Sequence, residues 1–115
     1  MRYLANHQII EFYDCNEDII KNTNFVKGVF VKAAEMSQAT IVAEKFHEFN
    51  PVGLTGVLVI TESHISIHTW PEFNYVAVDV FSCDNKVDHN RIKNSLAVAF
   101  QSKKVKTKSI KRGKV

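Results

Sequence analysis

The sequence predicts an α+β fold, a two-layer α/β sandwich in which an antiparallel sheet carries two helices on one face. Three observations carry this. Apolar or alternating stretches between residues 40 and 81 read as strands separated by short turns, and strands so joined pair antiparallel. Two other segments repeat apolar residues at helical spacing and need a sheet face to cover. The chain has 115 residues, 45% of them hydrophobic and 23% charged, which is the size and balance of a single domain over 1–115 with one core.

Each element has its own signal. Gln8 to Tyr13 reads as a strand on the weight of Ile9, Ile10 and Phe12. Asn16-Glu17-Asp18 is a helix start, a capping side chain followed by acids in the first turn. Ile19, Ile20, Val26, Phe30, Val31 and Ala34 then predict one helix from about 17 to 37. Thr40 to Phe46 reads as a strand, and Leu54 to Thr61 as a buried central one. His64 to Trp70 alternates, with Ile65, Ile67 and Thr69 on one face. Trp70-Pro71-Glu72-Phe73-Asn74 is a turn, and Tyr75 to Phe81 alternates again. Asp88 caps a second helix over about 89–100, and Val105 to Ile110 is the last strand. Two helices cover only one sheet face. The other is expected to be covered by a second copy of the chain.

Charge and composition exclude several classes. The longest apolar stretch, Leu54 to Ile60, is far too short to span a bilayer, so no membrane role is expected. The first residues show no apolar signal core, which points to the cytoplasm. Cys15 and Cys83 stand in unrelated contexts and give neither a disulfide framework nor a metal-ligand spacing, so no metal site is expected. Residues 101–115 carry seven basic residues and no acid. Their interleaving with Val105, Thr107 and Ile110 reads as an edge strand with lysines facing water. With no aromatic interleaving for base stacking, nucleic-acid binding is the weaker reading.

The segment Thr61-Glu62-Ser63-His64-Ile65-Ser66-Ile67-His68-Thr69-Trp70-Pro71-Glu72 sets a serine, two histidines and two glutamates in or beside the sheet core. Singly, each has an ordinary structural reading. Together with His7, Glu11-Phe12-Tyr13, Gln38-Ala39-Thr40-Ile41-Val42, Phe46-His47-Glu48-Phe49-Asn50-Pro51, Gly53-Leu54-Thr55-Gly56-Val57 and Ala77-Val78-Asp79-Val80-Phe81-Ser82-Cys83, the string resembles the short-chain, pyruvoyl-dependent S-adenosylmethionine decarboxylase proenzymes of bacteria and archaea. The run from Glu-Ser-His to Trp-Pro-Glu, with a cysteine eleven residues further on, is what makes the resemblance specific.

The resemblance implies self-cleavage between Glu62 and Ser63, into a β chain 1–62 and an α chain 63–115. The Ser63 hydroxyl would attack the Glu62 carbonyl. The resulting ester would eliminate to dehydroalanine, which hydrolyses to a pyruvoyl group, the expected cofactor. By resemblance His68 is the processing base and Thr55 supports processing. The pyruvoyl carbonyl would form a Schiff base with the substrate amine and act as the electron sink. Cys83 would donate the proton to carbon, a task suited to a thiol, which ordinarily stays protonated at neutral pH. Glu72 matches the ribose-binding carboxylate, Phe49 the ring that stacks on adenine, and Ile65 an apolar contact to the same ring. The resemblance further implies a homodimer of cleaved units with active sites at its interface, S-adenosylmethionine as substrate, and a product that feeds spermidine and other polyamine synthesis.

The string also departs from the pattern. Thr55 replaces the usual serine, Glu48 and Asn6 replace basic residues, Asn74 a glycine and Val52 an aromatic. Glu48 and Asn6 make their surroundings more acidic, which keeps arginine or ornithine open as alternative substrates. An unprocessed regulatory subunit is the reading from another class.

Overall fold

The structure is a computed structural model that describes residues 2–83 and 86–115. It contains six strands: β1 Tyr3–Tyr13, β2 Ile41–Glu48, β3 Leu54–Ile60, β4 Ser63–Trp70, β5 Tyr75–Ser82 and β6 Lys104–Lys114. The helices are α1 Glu17–Lys21, α2 Thr23–Met36 and α3 His89–Ala99, with a short 3-10 turn at Pro71–Phe73. The strands form one sheet in the order β2-β3-β4-β5-β1-β6, every neighbour antiparallel.

The helix expected over about 17–37 is broken at Asn22. Asparagine competes with helical hydrogen bonding through its own side chain, which makes it a better cap than an interior residue. Here its side chain accepts from Phe25 N at 3.1 Å, starting α2, while its own N–H closes α1 on Ile19 O at 3.1 Å. Asn16 and Asp88 cap α1 and α3 as expected, accepting from Ile19 N and Arg91 N. Asn74 adopts a left-handed conformation (φ 53°), which asparagine tolerates better than other non-glycine residues.

Alternation divides the sheet into two unlike faces. Ile10, Phe12, Leu54, Leu58, Ile65, Ile67, Val76, Val78 and Val80 are buried and form one core cluster with Val26, Phe30, Ala33, Ile92, Leu96 and Phe100 of the helical layer. The opposite face is open, and on it Val59, Trp70 and Ile9 are 46%, 40% and 36% exposed. β6 is an edge strand, as its lysines suggest. Its register sets Lys104, Lys106 and Lys108 against Tyr13, Glu11 and Ile9 on the open face, while Ile110 falls on the face opposite Val105 and Thr107.

Candidate active site

The hairpin of β3 and β4 positions the chemistry. Its register pairs Ile60 with Ser63 at the turn end and Thr55 with His68 near the other. Thr61 and Glu62 form the turn, held by three hydrogen bonds. Thr61 N donates to Thr40 O at 3.0 Å, Thr40 N to the Glu62 carboxylate at 3.2 Å, and Cys83 N to the Glu62 carbonyl at 2.9 Å. Glu62 is buried, 5% exposed. Its burial opposes ionisation, but hydrogen bonds from Thr61 and Thr40, with the charge of Lys86, outweigh that and keep the carboxyl below its ordinary range.

Held this way, the turn delivers Ser63 into β4 at φ 147°, a region that side-chain-bearing residues rarely adopt. Such strain costs on the order of 1–3 kcal/mol and survives only where the surroundings over-determine it. The strained residue directly follows a carbonyl already hydrogen-bonded by a fixed amide. An N–H so placed stabilises negative charge developing on that oxygen when the carbon is attacked.

The second group lies at the far end of the hairpin. His68 Nδ1 is 3.1 Å from Thr55 Oγ1 across the β3–β4 pair. A cleft of about 270 Å³ is lined there by Phe49, Val52, Gly53, Thr55, His68 and Glu72, among others. Gly53 makes the bend possible. It sits at φ 116°, where a Cβ would lie 3.4 Å from Thr69 O, and its carbonyl accepts from Phe49 N at 2.9 Å. Phe49 is therefore held half-exposed beside Glu72, with His47 edge-on at 4.7 Å.

The expected site residues thus form two clusters. Glu62, Ser63 and Cys83 meet at the turn; Phe49, Thr55, His68 and Glu72 meet at the cleft. His68 is five residues along β4 from Ser63, roughly 17 Å at strand rise. Ile65 is fully buried on the helix-covered face. Its side chain packs in the core cluster, since alternation turns it away from the open face. Cys83 is an exposed free thiol, whereas Cys15 is buried and its thiol is pushed up to about 11 by that burial.

Sequence reasoning missed several groups. Thr40 and the Cys83 amide act through backbone atoms that no residue pattern reveals. The fold also gathers His7, His64 and Asp79, with ligand atoms within 4.8 Å of one another, although no spacing suggested a metal set. The legible signal was a lone aspartate in an otherwise uncharged alternating strand.

The hairpin thus carries a strained serine at its turn and a separate histidine- and glutamate-lined cleft at its other end. The family model for S-adenosylmethionine decarboxylase matches residues 6–113, and the chain belongs to that family. It is 43% identical over 113 residues to an S-adenosylmethionine decarboxylase proenzyme of Thermodesulfovibrio yellowstonii, covering 98% of this chain and 84% of that one. It is 41% identical over 115 residues to the proenzyme so named in Clostridium botulinum, covering 100% and 99%. The fold matches the crystal structure of the adenosylmethionine decarboxylase from Aquifex aeolicus with a TM-score of 0.91 at 28% identity, over 100% of this chain and 95% of that one. Among the described residues, no helix is long and apolar enough to cross a membrane.

Proposed function

We propose that the chain is a self-cleaving S-adenosylmethionine decarboxylase, acting as a homodimer with two composite sites. In each site Glu62, Ser63 and Cys83 come from one protomer. Phe49, Thr55, His68 and Glu72 come from the other. The observation that carries the reading is the strained Ser63 next to a Glu62 carbonyl that accepts from Cys83 N at 2.9 Å. Self-cleavage needs a hydroxyl held against the preceding carbonyl, and the strain is relieved when that peptide breaks.

The distance along β4 supports a second protomer's contribution. The two clusters lie at opposite ends of one hairpin. A two-fold axis through the open face near Ser66 brings the turn of each copy to the cleft of the other, giving two equal sites and covering the exposed apolar side chains. The partner's His68 then takes the Cα proton of residue 63. Its Nδ1 engages Thr55 Oγ1, which leaves Nε2 free for the transfer.

The residues fit a pyruvoyl group at position 63. The position is half-buried at the turn end of β4, next to the Glu62 carbonyl that Cys83 N holds at 2.9 Å. When formed, the group supplies a carbonyl that accepts the electron pair released with CO2. Cys83, exposed at the end of β5, returns a proton to carbon. In the cleft Phe49 offers a ring face to adenine, and Glu72 offers paired acceptors to ribose hydroxyls.

Glu48 does not favour a basic amino acid: it is engaged by Thr23 at 2.6 Å and by Lys27 at 3.2 Å and does not line the cleft. Asn6 lies opposite Ser82, which pairs with Ser63, so it stands at the cleavage end of the site and brings no charge there. The product would supply aminopropyl groups for polyamine synthesis in the cytoplasm.

Intact-mass spectrometry under denaturing conditions tests the reading. Fragments 1–62 and 63–115 are expected, the second lighter than a serine-started peptide by the loss of ammonia. CO2 release from S-adenosylmethionine, and not from arginine or ornithine, completes the test. A single uncut 13.1 kDa chain would sink the proposal.

A further inference from the structure

Gln8 stands where the alternation of β1 asks for an apolar side chain. Ile10 and Phe12, on the same face, are core residues, and Val80, directly across from Gln8, is fully buried. Gln8 is itself 8% exposed, yet no donor among the described residues reaches its Oε1. An amide oxygen buried without a donor bears the full cost of leaving water. Gln8 lines a cavity of about 610 Å³ at the end of the helix-covered face. Asn6 of β1, Ser109 of β6, Gln38 just past α2 and the start of α3 enclose it with Gln8. Because it lies on the side of the sheet away from the open face, a second copy stacked on that face leaves it accessible. Among the described residues, none of Glu62, Ser63 and Cys83 lines it.

The lining has a definite chemistry. Asn6, Gln8, Gln38 and Asn90 bring four carboxamides, and Val87 is the one apolar residue. A carboxamide both donates and accepts, so a group of them suits a ligand rich in hydroxyls. At one end of the cavity α3 begins. The amides of His89 and Asn90, in its first turn, have no carbonyl of their own helix to bond, and the helix dipole makes that end positive. Lys86 lines the same end and adds an ammonium. These groups suit an anion. Asp88 is the one acid in the lining, and its carboxylate is taken up by the Arg91 amide at 3.0 Å. His89 Nε2 lies 2.9 Å from Ser82 Oγ, which holds the start of α3 against β5.

We propose that this cavity binds a small polyhydroxylated phosphate monoester, a ligand of the sugar-phosphate class. The phosphate sits at the start of α3 beside Lys86. The hydroxyls meet the carboxamides, and one of them donates to Gln8 Oε1. The volume falls in the range of small-molecule sites and far exceeds what a bare phosphate ion fills. The inference rests on this cavity alone. It needs neither self-cleavage nor a second protomer.

The test is an NMR titration of the purified chain, in whatever state of cleavage its mass shows, with ribose 5-phosphate, inorganic phosphate and ribose. Saturable shifts of the His89 and Asn90 amides are expected with ribose 5-phosphate, weaker binding with inorganic phosphate, and none with ribose. Lys86→Ala should weaken binding of ribose 5-phosphate by more than about tenfold. Gln8→Leu should do the same. It should also raise the Tm of the ligand-free chain by a few degrees, because no unbonded oxygen is then buried. Lys106→Ala, on the opposite face of β6, should leave the affinity unchanged. No saturable binding, ribose 5-phosphate binding no tighter than inorganic phosphate, or affinity that survives both Lys86→Ala and Gln8→Leu would each overturn the site. So would a lower Tm in Gln8→Leu, or a loss in Lys106→Ala equal to that in Lys86→Ala.

Discussion

At the scale of single residues, Ser63 carries two separable properties, a nucleophilic hydroxyl and a strained backbone (φ 147°). Ser63→Ala and Ser63→Gly both remove the hydroxyl, and both should remain one uncut chain by mass. Only glycine also relieves the strain. Ser63→Gly should be the more stable of the two by about 1 kcal/mol, a few degrees in Tm. Equal melting temperatures would show that the strain is not stored there. Glu62 makes a pH prediction. Its folded pKa lies below the unfolded value, so its stabilisation is present above the unfolded value, about 4.3, and fades as pH falls through the folded one. In the uncut Ser63→Ala background, adding Glu62→Gln should flatten the loss of denaturation free energy below about pH 4.3. Parallel pH profiles would remove Glu62 as its source.

At the scale of elements, the break at Asn22 and the approach of β2 to β3 are both testable. Asn22 ends α1 and caps α2, so Asn22→Ala should cost about 1 kcal/mol without changing the fold. Thermal melting with an unchanged far-UV spectrum is the check. Gly56 is demanded by a close approach. A Cβ there would lie 2.5 Å from the Phe46 ring and 3.2 Å from Ile67 Cγ2. Gly56→Ala should destabilise by about 1–3 kcal/mol through this overpacking, and a melting temperature equal to the parent's would disprove it. These two positions show how far element reading reached. The spacing of Ile19, Ile20, Val26, Phe30 and Ala34 located the helical layer correctly. It did not show that one asparagine side chain would satisfy a new helix start in the middle of it.

At the scale of the whole molecule, the composite site predicts complementation. Ser63→Ala keeps a working His68, and His68→Ala keeps a working Ser63. Neither chain alone should cleave. Refolded together in equal amounts, about half of the His68→Ala chains should pair with a Ser63→Ala partner and be cut. Mass spectrometry distinguishes the two chains. No cleavage in the mixture would mean that the base acts within its own protomer, against the roughly 17 Å that separates the two along β4.

What the sequence determined by itself is what short-range physics encodes. Alternation placed the strands, helical spacing placed the helices, and the caps at Asn16 and Asp88 set two helix starts. The segment from Glu62 to Glu72 carried the family resemblance because its side chains are contiguous along the chain. Tertiary structure decided everything that depends on register. Only the pairing of β3 with β4 sets Thr55 against His68. Only the strand order β4-β5-β1 brings His64, Asp79 and His7 together across a separation of 72 residues in the chain. Only the sheet's parity turns Ile65 into the core and keeps Glu48 out of the cleft. The physical reason is common to all three: a one-residue difference in position or register exchanges the faces of a strand, and one sequence read alone does not show which strands will be neighbours.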